Sequence, residues 1–173
     1  MLRLSLIFLG AIFFFGCSTI RQDQDNPCCK KSEKPETKLS SKADLIKFIR
    51  NELESNNLSL IYLGIPKVES NFKVDSRFDG CAGIWQFKKT TAKALGLKVN
   101  EIVDERFDVQ KSTKAAIRYL KYLEAKFLHP EYVLAAYNWG EGKVFQALKQ
   151  NRPFPKKVLN YIVKVKRAAE VLV

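Results

Sequence analysis

Three short polar elements interrupt the apolar helical patterns of the chain, and the first contains the best candidate for acid–base chemistry. Glu69 and Ser70 follow the apolar segment 58–68, at the carboxyl end of a predicted helix. The negative end of a helix and apolar neighbours such as Leu63 both disfavour a carboxylate, so both raise the pKa of Glu69. A carboxyl group that keeps its proton near neutral pH can protonate a leaving oxygen. Glu69 is therefore predicted to be a general acid.

The other two polar elements, residues 83–87 and 135–140, supply candidates for orienting that acid. They read Gly-Ile-Trp-Gln-Phe and Ala-Ala-Tyr-Asn-Trp-Gly. Ser70, Gln86 and Tyr137 can each hold a neutral carboxyl group through hydrogen bonds without carrying charge. Taken singly, each element is also compatible with core packing or with a solvated helix end. The prediction depends on the three occurring together.

Other kinds of site find no support in the sequence. His129 is the only histidine and directly precedes Pro130 at a predicted helix start, so neither a histidine-based catalytic triad nor a zinc site is predicted. The cysteines have no metal-ligand spacing, and Cys28, Cys29 and Cys81 are assigned no role. No metal and no cofactor are therefore expected.

The elements that must position these residues are predicted to be helices. A capping box at Ser41 and Asp44 opens the first of them, Pro130 is placed to open another, and Gly96 to close one. Apolar residues at helical spacing predict helices at 45–53, 58–68 with a kink or boundary at Gly64 or Pro66, 88–95, 116–127, 130–137, 143–149 (after Gly142) and 158–172.

The stretches between these helices complete the predicted architecture. Residues 72–87 are too rich in glycine and aspartate for a long helix and are predicted to form a loop with a short hairpin. Residues 99–107 are predicted to be an irregular connection. The fold class is all-α, a helical domain at 42–173 with a short irregular or hairpin insert.

The start of the chain has the layout of an export signal. Arg3 precedes an almost entirely apolar run, 4–15, and a signal peptide is predicted at 1–16. Because a membrane-spanning helix needs about 20 apolar residues, a permanent transmembrane segment is the weaker interpretation.

The residues after the signal predict an anchor and a tether. Gly16-Cys17 resembles the lipobox of bacterial lipoproteins, whose cysteine is acylated, although residues 14–15 are both Phe, which is atypical. Lipidation of Cys17 is the prediction, and cleavage elsewhere, leaving a free secreted protein, is the alternative. Residues 17–41 are polar and charged, and they are predicted to be a flexible tether.

In this order and at these spacings, the three polar elements resemble the catalytic (SLT) domain of the lytic transglycosylases, within the lysozyme-like superfamily. The resemblance extends from about Leu60 through Tyr161. The Gly-Ile-Trp-Gln-Phe form, with the Asp-Glu-Arg segment at 104–106, is most similar to the membrane-bound D-type lytic murein transglycosylases. It implies a helical domain of the goose-type lysozyme (SLT) kind.

The resemblance also implies roles for individual residues. Glu69 matches the catalytic acid, and Ser70 matches the hydroxyl that holds it. Gln86 matches the glutamine of the second motif, the pair 137–138 matches the Tyr-Asn pair lining the cleft, and Tyr161 resembles a late tyrosine of the same site. The substrate-binding residues expected on this basis are Ser70, Trp85, Gln86, Tyr137, Asn138 and Tyr161.

Aromatic residues and a second carboxylate are the remaining requirements for carbohydrate chemistry. Trp85, Tyr137 and Trp139 are candidates for stacking on sugar rings, with core packing as the alternative. Asp75 and Asp79 are the nearest candidates for a second carboxylate, but Asp in such a turn-rich stretch more often caps the backbone.

The implied reaction is cleavage of the MurNAc-GlcNAc β-1,4 bond of peptidoglycan with formation of 1,6-anhydro-MurNAc. In the family one glutamate, here Glu69, serves as both acid and base. Endo-acting and exo-acting cleavage are both compatible with these residues. The alternatives are a hydrolytic muramidase on the same fold and a catalytically inactive peptidoglycan-binding lipoprotein.

The formal net charge of +12 indicates anionic surroundings. For an exported chain these are lipid head groups and stem-peptide carboxylates rather than nucleic acid, although a solvated basic surface without a partner explains the charge equally well. The expected protein is a monomer that binds peptidoglycan glycan strands. It is held by its lipid anchor at the periplasmic face of a bacterial membrane, as an outer-membrane lipoprotein.

Overall fold

The computed structural model describes Leu39 and residues 41–173, which belong to one compact unit, Lys38–Val173. The predicted signal peptide, Cys17 and nearly all of the predicted tether lie outside the described residues. Among the helices of the described part of the chain, none is long and apolar enough to cross a membrane.

Helix α1 (Lys42–Ser55) begins at the predicted capping box. The Ser41 hydroxyl accepts a hydrogen bond from the Asp44 backbone N–H at 3.1 Å, and the Asp44 carboxylate accepts one from the Ser41 N–H at 3.0 Å. These bonds satisfy donors that a first helical turn leaves unpaired. The buried face of the helix consists of Leu45, Ile49 and Leu53.

The second apolar segment contains a 3-10 helix, Leu60–Leu63, followed by helix α2, Gly64–Ser70. The predicted boundary therefore falls at Gly64. A Cβ atom at this glycine would lie 2.1 Å from the carbonyl oxygen of Val165, so the backbones approach too closely for any other residue. Pro66 is tolerated because it lies in the first turn, where a backbone N–H has no helical partner.

The insert after α2 is a small antiparallel sheet, which confirms the predicted hairpin. Its strand order is β1-β2-β3, and the strands are Arg77–Phe78, Cys81–Ala82 and Phe87–Lys88. Asp79 and Gly80 form the first turn with φ values of 48° and 75°, the left-handed backbone that a two-residue hairpin requires. Cys81 lies directly opposite Lys88 in the second strand pair.

Five further helices complete the described fold, and two of them have the predicted start or end. Pro130 is the first residue of its helix, and Gly96, with φ of 82°, follows the end of another. The helices are α3 (Lys89–Ala94), α4 (Val109–Lys126), α5 (Pro130–Trp139), α6 (Glu141–Lys149) and α7 (Lys156–Leu172).

One predicted boundary, a helix beginning only after Gly142, is wrong. Helix α6 begins at Glu141 because the chain already changes direction at Gly140, whose φ is 99°. Gly142 lies within the first turn of the helix, where an added Cβ atom would meet nothing within 4 Å outside its own helix.

The core lies between the helices, and α7 contributes much of it. Helix α7 packs against α2, the 3-10 helix and α5, while α4 packs against α1 and α5. The insert adds Ile84 and Trp85 to the same core from the loop between β2 and β3. The all-α prediction is confirmed, and the sheet is confined to the insert.

Candidate active site

Glu69 is the second-last residue of α2, and its side chain is half-buried. The Tyr161 hydroxyl, on α7, donates a hydrogen bond to Glu69 Oε1 at 2.8 Å. Burial raises the pKa of Glu69, and the hydrogen bond from Tyr161 offsets part of that rise. The carboxyl group therefore keeps its proton to a higher pH than an ordinary glutamate, as a general acid must.

The Glu69 carboxyl group opens into a cavity of about 330 Å³ between the insert and helix α5. Its walls come from α2, the small sheet, α3, α4 and the end of α5. The lining residues are Glu69, Cys81, Gln86, Phe87, Lys88, Thr91, Tyr119, Tyr137, Asn138, Trp139 and Gly140. Among these residues Glu69 is the only carboxylic acid.

Gln86 lines the cavity and also holds the loop that precedes it. Its backbone is left-handed, with φ of 47°, and its side-chain amide donates to the carbonyl oxygens of Gly83 at 2.7 Å and Ser76 at 3.1 Å. The side chain therefore fixes the shape of the loop at the cavity wall.

Residues 137–139 form the opposite wall. The Tyr137 hydroxyl donates to the Trp85 carbonyl oxygen at 2.7 Å, and its ring lies against the rings of Phe87 and Tyr119. Asn138 is exposed at the cavity, and the half-buried ring of Trp139 also lines it. Tyr137, Asn138 and Trp139 are thus brought to the acid from 68 or more residues away along the chain.

The prediction that Trp85 stacks on a sugar is wrong. Its side chain is fully buried, and its indole N–H donates to Thr113 Oγ1 at 3.1 Å. The loop between β2 and β3 turns this ring into the core, where it supports the site through its backbone carbonyl. The core-packing alternative applies to this tryptophan.

Ser70 and Tyr161 also differ from their predicted substrate-binding roles. The Ser70 hydroxyl is buried, 3.1 Å from the Pro66 carbonyl oxygen and 2.9 Å from the Ile84 carbonyl oxygen, so it fastens the helix end to the insert. The contact with the acid expected of Ser70 is made by Tyr161, which is 8% exposed and lies behind the carboxyl group.

Neither predicted second carboxylate reaches the cavity. Asp75 and Asp79 are exposed, and Asp79 occupies the hairpin turn. Within the described residues there is also no group of three or more His, Cys, Asp or Glu side chains that could hold a metal ion. The chemistry at this cavity therefore rests on one carboxyl group.

Several cavity residues were missed by sequence reasoning, among them Cys81, Lys88 and Tyr119. The predicted hairpin could have indicated Cys81 and Lys88, because strand pairing places these two residues side by side at the cavity wall. Burial raises the pKa of the Cys81 thiol, which disfavours the reactive thiolate.

A buried arginine, Arg106, holds the insert through hydrogen bonds to its backbone. Arg106 Nη1 donates to the carbonyl oxygens of Gly80 and Phe87, both at 3.0 Å, and Nη2 pairs with the Asp104 carboxylate at 2.7 Å. These bonds join β3 and the hairpin turn to the connection 99–107, so the cavity wall has a rigid support.

The family model for the Transglycosylase SLT domain matches residues 47–160, about two thirds of the chain. The chain belongs to the SLT domain family. The match contains Glu69 and the residues that line the cavity, so the family assignment and the geometry concern the same part of the molecule.

Curated relatives of this SLT domain are the membrane-bound lytic murein transglycosylases D of Escherichia coli strains K12 and O6:H1. Each is 31% identical over 139 residues, which are 72% of this chain and 30% of the relative. The chain thus spans less than a third of these relatives. A solved structure of an inactive mutant of the lytic transglycosylase Slt from Pseudomonas aeruginosa shares the fold. Its TM-score is 0.50 at 21% identity, over 78% of this chain and 22% of the other.

Proposed function

We propose that the protein is a peptidoglycan lytic transglycosylase that cleaves the MurNAc-GlcNAc β-1,4 bond and forms 1,6-anhydro-MurNAc. The observation that carries the proposal is the half-buried Glu69, which lines the cavity with a raised pKa and no second carboxylate beside it. The family match and the names of the curated relatives support the same activity.

In the proposed reaction Glu69 acts twice. Its proton passes to the glycosidic oxygen as the bond from that oxygen to C1 of MurNAc breaks, so the leaving sugar departs as a neutral alcohol. The carboxylate then removes the proton from the C6 hydroxyl of the same MurNAc, whose oxygen bonds to C1. Glu69 ends protonated again, and no water is consumed.

Tyr161 is a positioning residue in this scheme. A hydroxyl that donates to Glu69 Oε1 stabilises the transient carboxylate more than the neutral acid, because hydrogen bonds to charged acceptors are stronger. Burial acts in the other direction and favours the protonated acid from which the reaction starts. Together they place the acid where it can both lose and regain a proton.

The substrate-contacting residues in this proposal are those that line the cavity. Gln86, Tyr137 and Asn138 offer polar atoms near the acid, and Trp139 offers a partly exposed ring suited to the apolar face of a sugar. Gln86, Tyr137 and Asn138 are among the substrate-binding residues predicted from the sequence, and Trp139 is one of the predicted stacking candidates.

A hydrolytic muramidase is the main alternative, and product analysis separates the two. A hydrolase of this kind commonly uses a second carboxylate to act as nucleophile or to activate water, which the described cavity lacks. Mass spectrometry of digested glycan should give end products about 18 Da lighter than hydrolytic ones, the mass of one water. Products carrying that water would contradict the proposal.

The matched control is Glu69→Gln, which keeps the shape of the side chain and an oxygen for Tyr161. Loss of the acid should reduce product formation by on the order of 10³-fold. The melting temperature should not fall. If the protein is an inactive wall-binding protein, neither the wild type nor Glu69→Gln will form anhydro product, and the two will bind strands equally well.

We propose that the protein is exported and that acylated Cys17 attaches it to the periplasmic face of the bacterial outer membrane. The predicted signal peptide supports export, and the term membrane-bound in the names of the curated relatives supports attachment. The proposed protein acts as a monomer.

A further inference from the structure

One cation stands among the residues that line the cavity. Lys88 is exposed at the end of β3, opposite Cys81, and the other lining residues apart from Glu69 are uncharged side chains or glycine. The cavity lining therefore contains one basic side chain and one carboxyl group. The basic side chain is exposed and can meet an anionic group of a bound substrate.

No acidic side chain of the described residues neutralises the Lys88 ammonium. It forms no ion pair in the described part of the chain, where the lysines that do so are Lys111, Lys126 and Lys166. Glu69, the carboxylic acid of the lining, accepts its hydrogen bond from Tyr161, and among the described residues no ion pair joins it to Lys88. The charge of Lys88 does reach the Cys81 thiol, whose pKa it lowers in opposition to burial.

We propose that Lys88 is a specificity-determining residue that binds a carboxylate of the glycan substrate. The inference rests on the proposed function and adds a preference for anionic over neutral strands. Such a carboxylate has two sources in peptidoglycan, the lactyl group of a MurNAc without its peptide and the acidic groups of a stem peptide. Both offer the same chemistry to an ammonium group.

The neighbouring Lys89 provides a matched control. It is also an exposed lysine, but it does not line the cavity. Lys88→Met and Lys89→Met remove the same charge from adjacent positions, so non-specific attraction between a basic protein and an anionic strand changes equally in both. Only a contact inside the cavity separates them.

The experiment uses the full chain and four strand preparations: peptide-bearing strands, amidase-stripped strands with free lactyl carboxylates, and both after amidation of their carboxylates. For each variant the ratio of kcat/KM on charged strands to that on the amidated counterpart is measured. Lys88→Met should lower this ratio by about fivefold, the effect expected of one solvent-accessible ion pair, and the reduction should shrink in high salt. Lys89→Met should keep the wild-type ratio.

The pattern across strands identifies the source of the carboxylate. A lower ratio with stripped strands assigns the lactyl group, and a lower ratio with peptide-bearing strands alone assigns the stem peptide. Equal ratios for Lys88→Met and Lys89→Met on both pairs of strands would overturn the inference while leaving the proposed function intact.

A binding measurement keeps the two proposals separable. Dissociation constants for the same strands are determined by calorimetry with Glu69→Gln, alone and combined with Lys88→Met or Lys89→Met. A loss of affinity of about fivefold that occurs only with Lys88→Met and only on charged strands supports the inference, even if the wild-type protein releases no anhydro product. If only the proposed function fails, the wild-type protein will release no anhydro product, but the difference in binding between the Lys88→Met and Lys89→Met proteins will remain.

Discussion

At the scale of the residue, the proton on Glu69 is governed by two opposing influences. Burial favours the neutral acid, and the hydrogen bond from Tyr161 favours the carboxylate. The sequence predicted the first influence from the apolar segment before Glu69. The second could not be predicted from spacing, since the tyrosine follows 92 residues later.

Replacing Tyr161 by Phe should shift the pH dependence of turnover. Loss of a donor to the carboxylate raises the pKa of Glu69 further, so the acid stays protonated to higher pH and the alkaline limb of kcat moves upward. At the optimum, kcat should fall by about tenfold, which corresponds to loss of a hydrogen bond to a charged group of about 1.5 kcal/mol.

The control for this change is Tyr122→Phe, which removes a hydroxyl from an exposed tyrosine outside the cavity lining. It should keep the wild-type profile. If the alkaline limb of Tyr161→Phe moved to lower pH or stayed in place, the hydrogen bond would not be tuning the acid.

Residue types alone left ambiguities that only packing resolves. Trp85 and Trp139 both sit in polar motifs, yet one ring is buried in the core and the other lines the cavity. The large apolar area of tryptophan suits both environments, so composition cannot distinguish them. The places of Glu69, Gln86 and Tyr137 at the cavity were predictable because polar groups interrupt apolar segments at these positions. The acid-holding role predicted for Gln86 and Tyr137 was not found, since their side chains donate to backbone carbonyl oxygens instead.

At the scale of the element, helices were predictable because each buries one apolar face at regular spacing. The boundaries marked by Ser41, Pro130 and Gly96 fall where capping chemistry placed them. The start of α6 did not, because two glycines lie close together and only the backbone geometry shows that Gly140 makes the turn.

The contact between α2 and α7 gives a stability prediction. Gly64→Ala would place its Cβ atom 2.1 Å from the Val165 carbonyl oxygen, which forces the two helices apart. The free energy of unfolding should fall by about 1–3 kcal/mol, as for other overpacked sites. Because α2 carries Glu69 and α7 carries Tyr161, kcat should fall as well. Chemical denaturation and kinetics measure the two effects.

A matched glycine exists in α6. Gly142→Ala adds the same methyl group where nothing lies within 4 Å, and it should leave stability unchanged or raise it by about 0.5–1 kcal/mol. Equal destabilisation by the two substitutions would show that close backbone packing at Gly64 is not what the fold requires.

At the scale of the whole molecule, the described residues form a unit with its own core. Composition predicts the start of the helical domain at about residue 41, where polar sequence gives way to helical periodicity. What the sequence could not supply was the arrangement of the helices, since contacts between α7 and α2 join segments far apart in the chain.

The proposed anchor should be separable from catalysis. Cys17→Ser removes the predicted acylation site and should move the protein from the membrane fraction to the released fraction. Its melting temperature and its kcat/KM on released glycan strands should equal those of the wild type. Retention of the variant in the membrane fraction would mean that something other than a lipid on Cys17 holds the protein.

The hydrogen bond between Tyr161 and Glu69 also sets an order of events during biosynthesis. Ribosomes make the acid well before the tyrosine, and the reactive pair is complete only after α7 has been translated and has docked against α2. A nascent chain in which α7 has not yet docked therefore carries its glutamate without the donor that stabilises the carboxylate. In the proposed enzyme, the acid gains its positioning residue only at that step of folding.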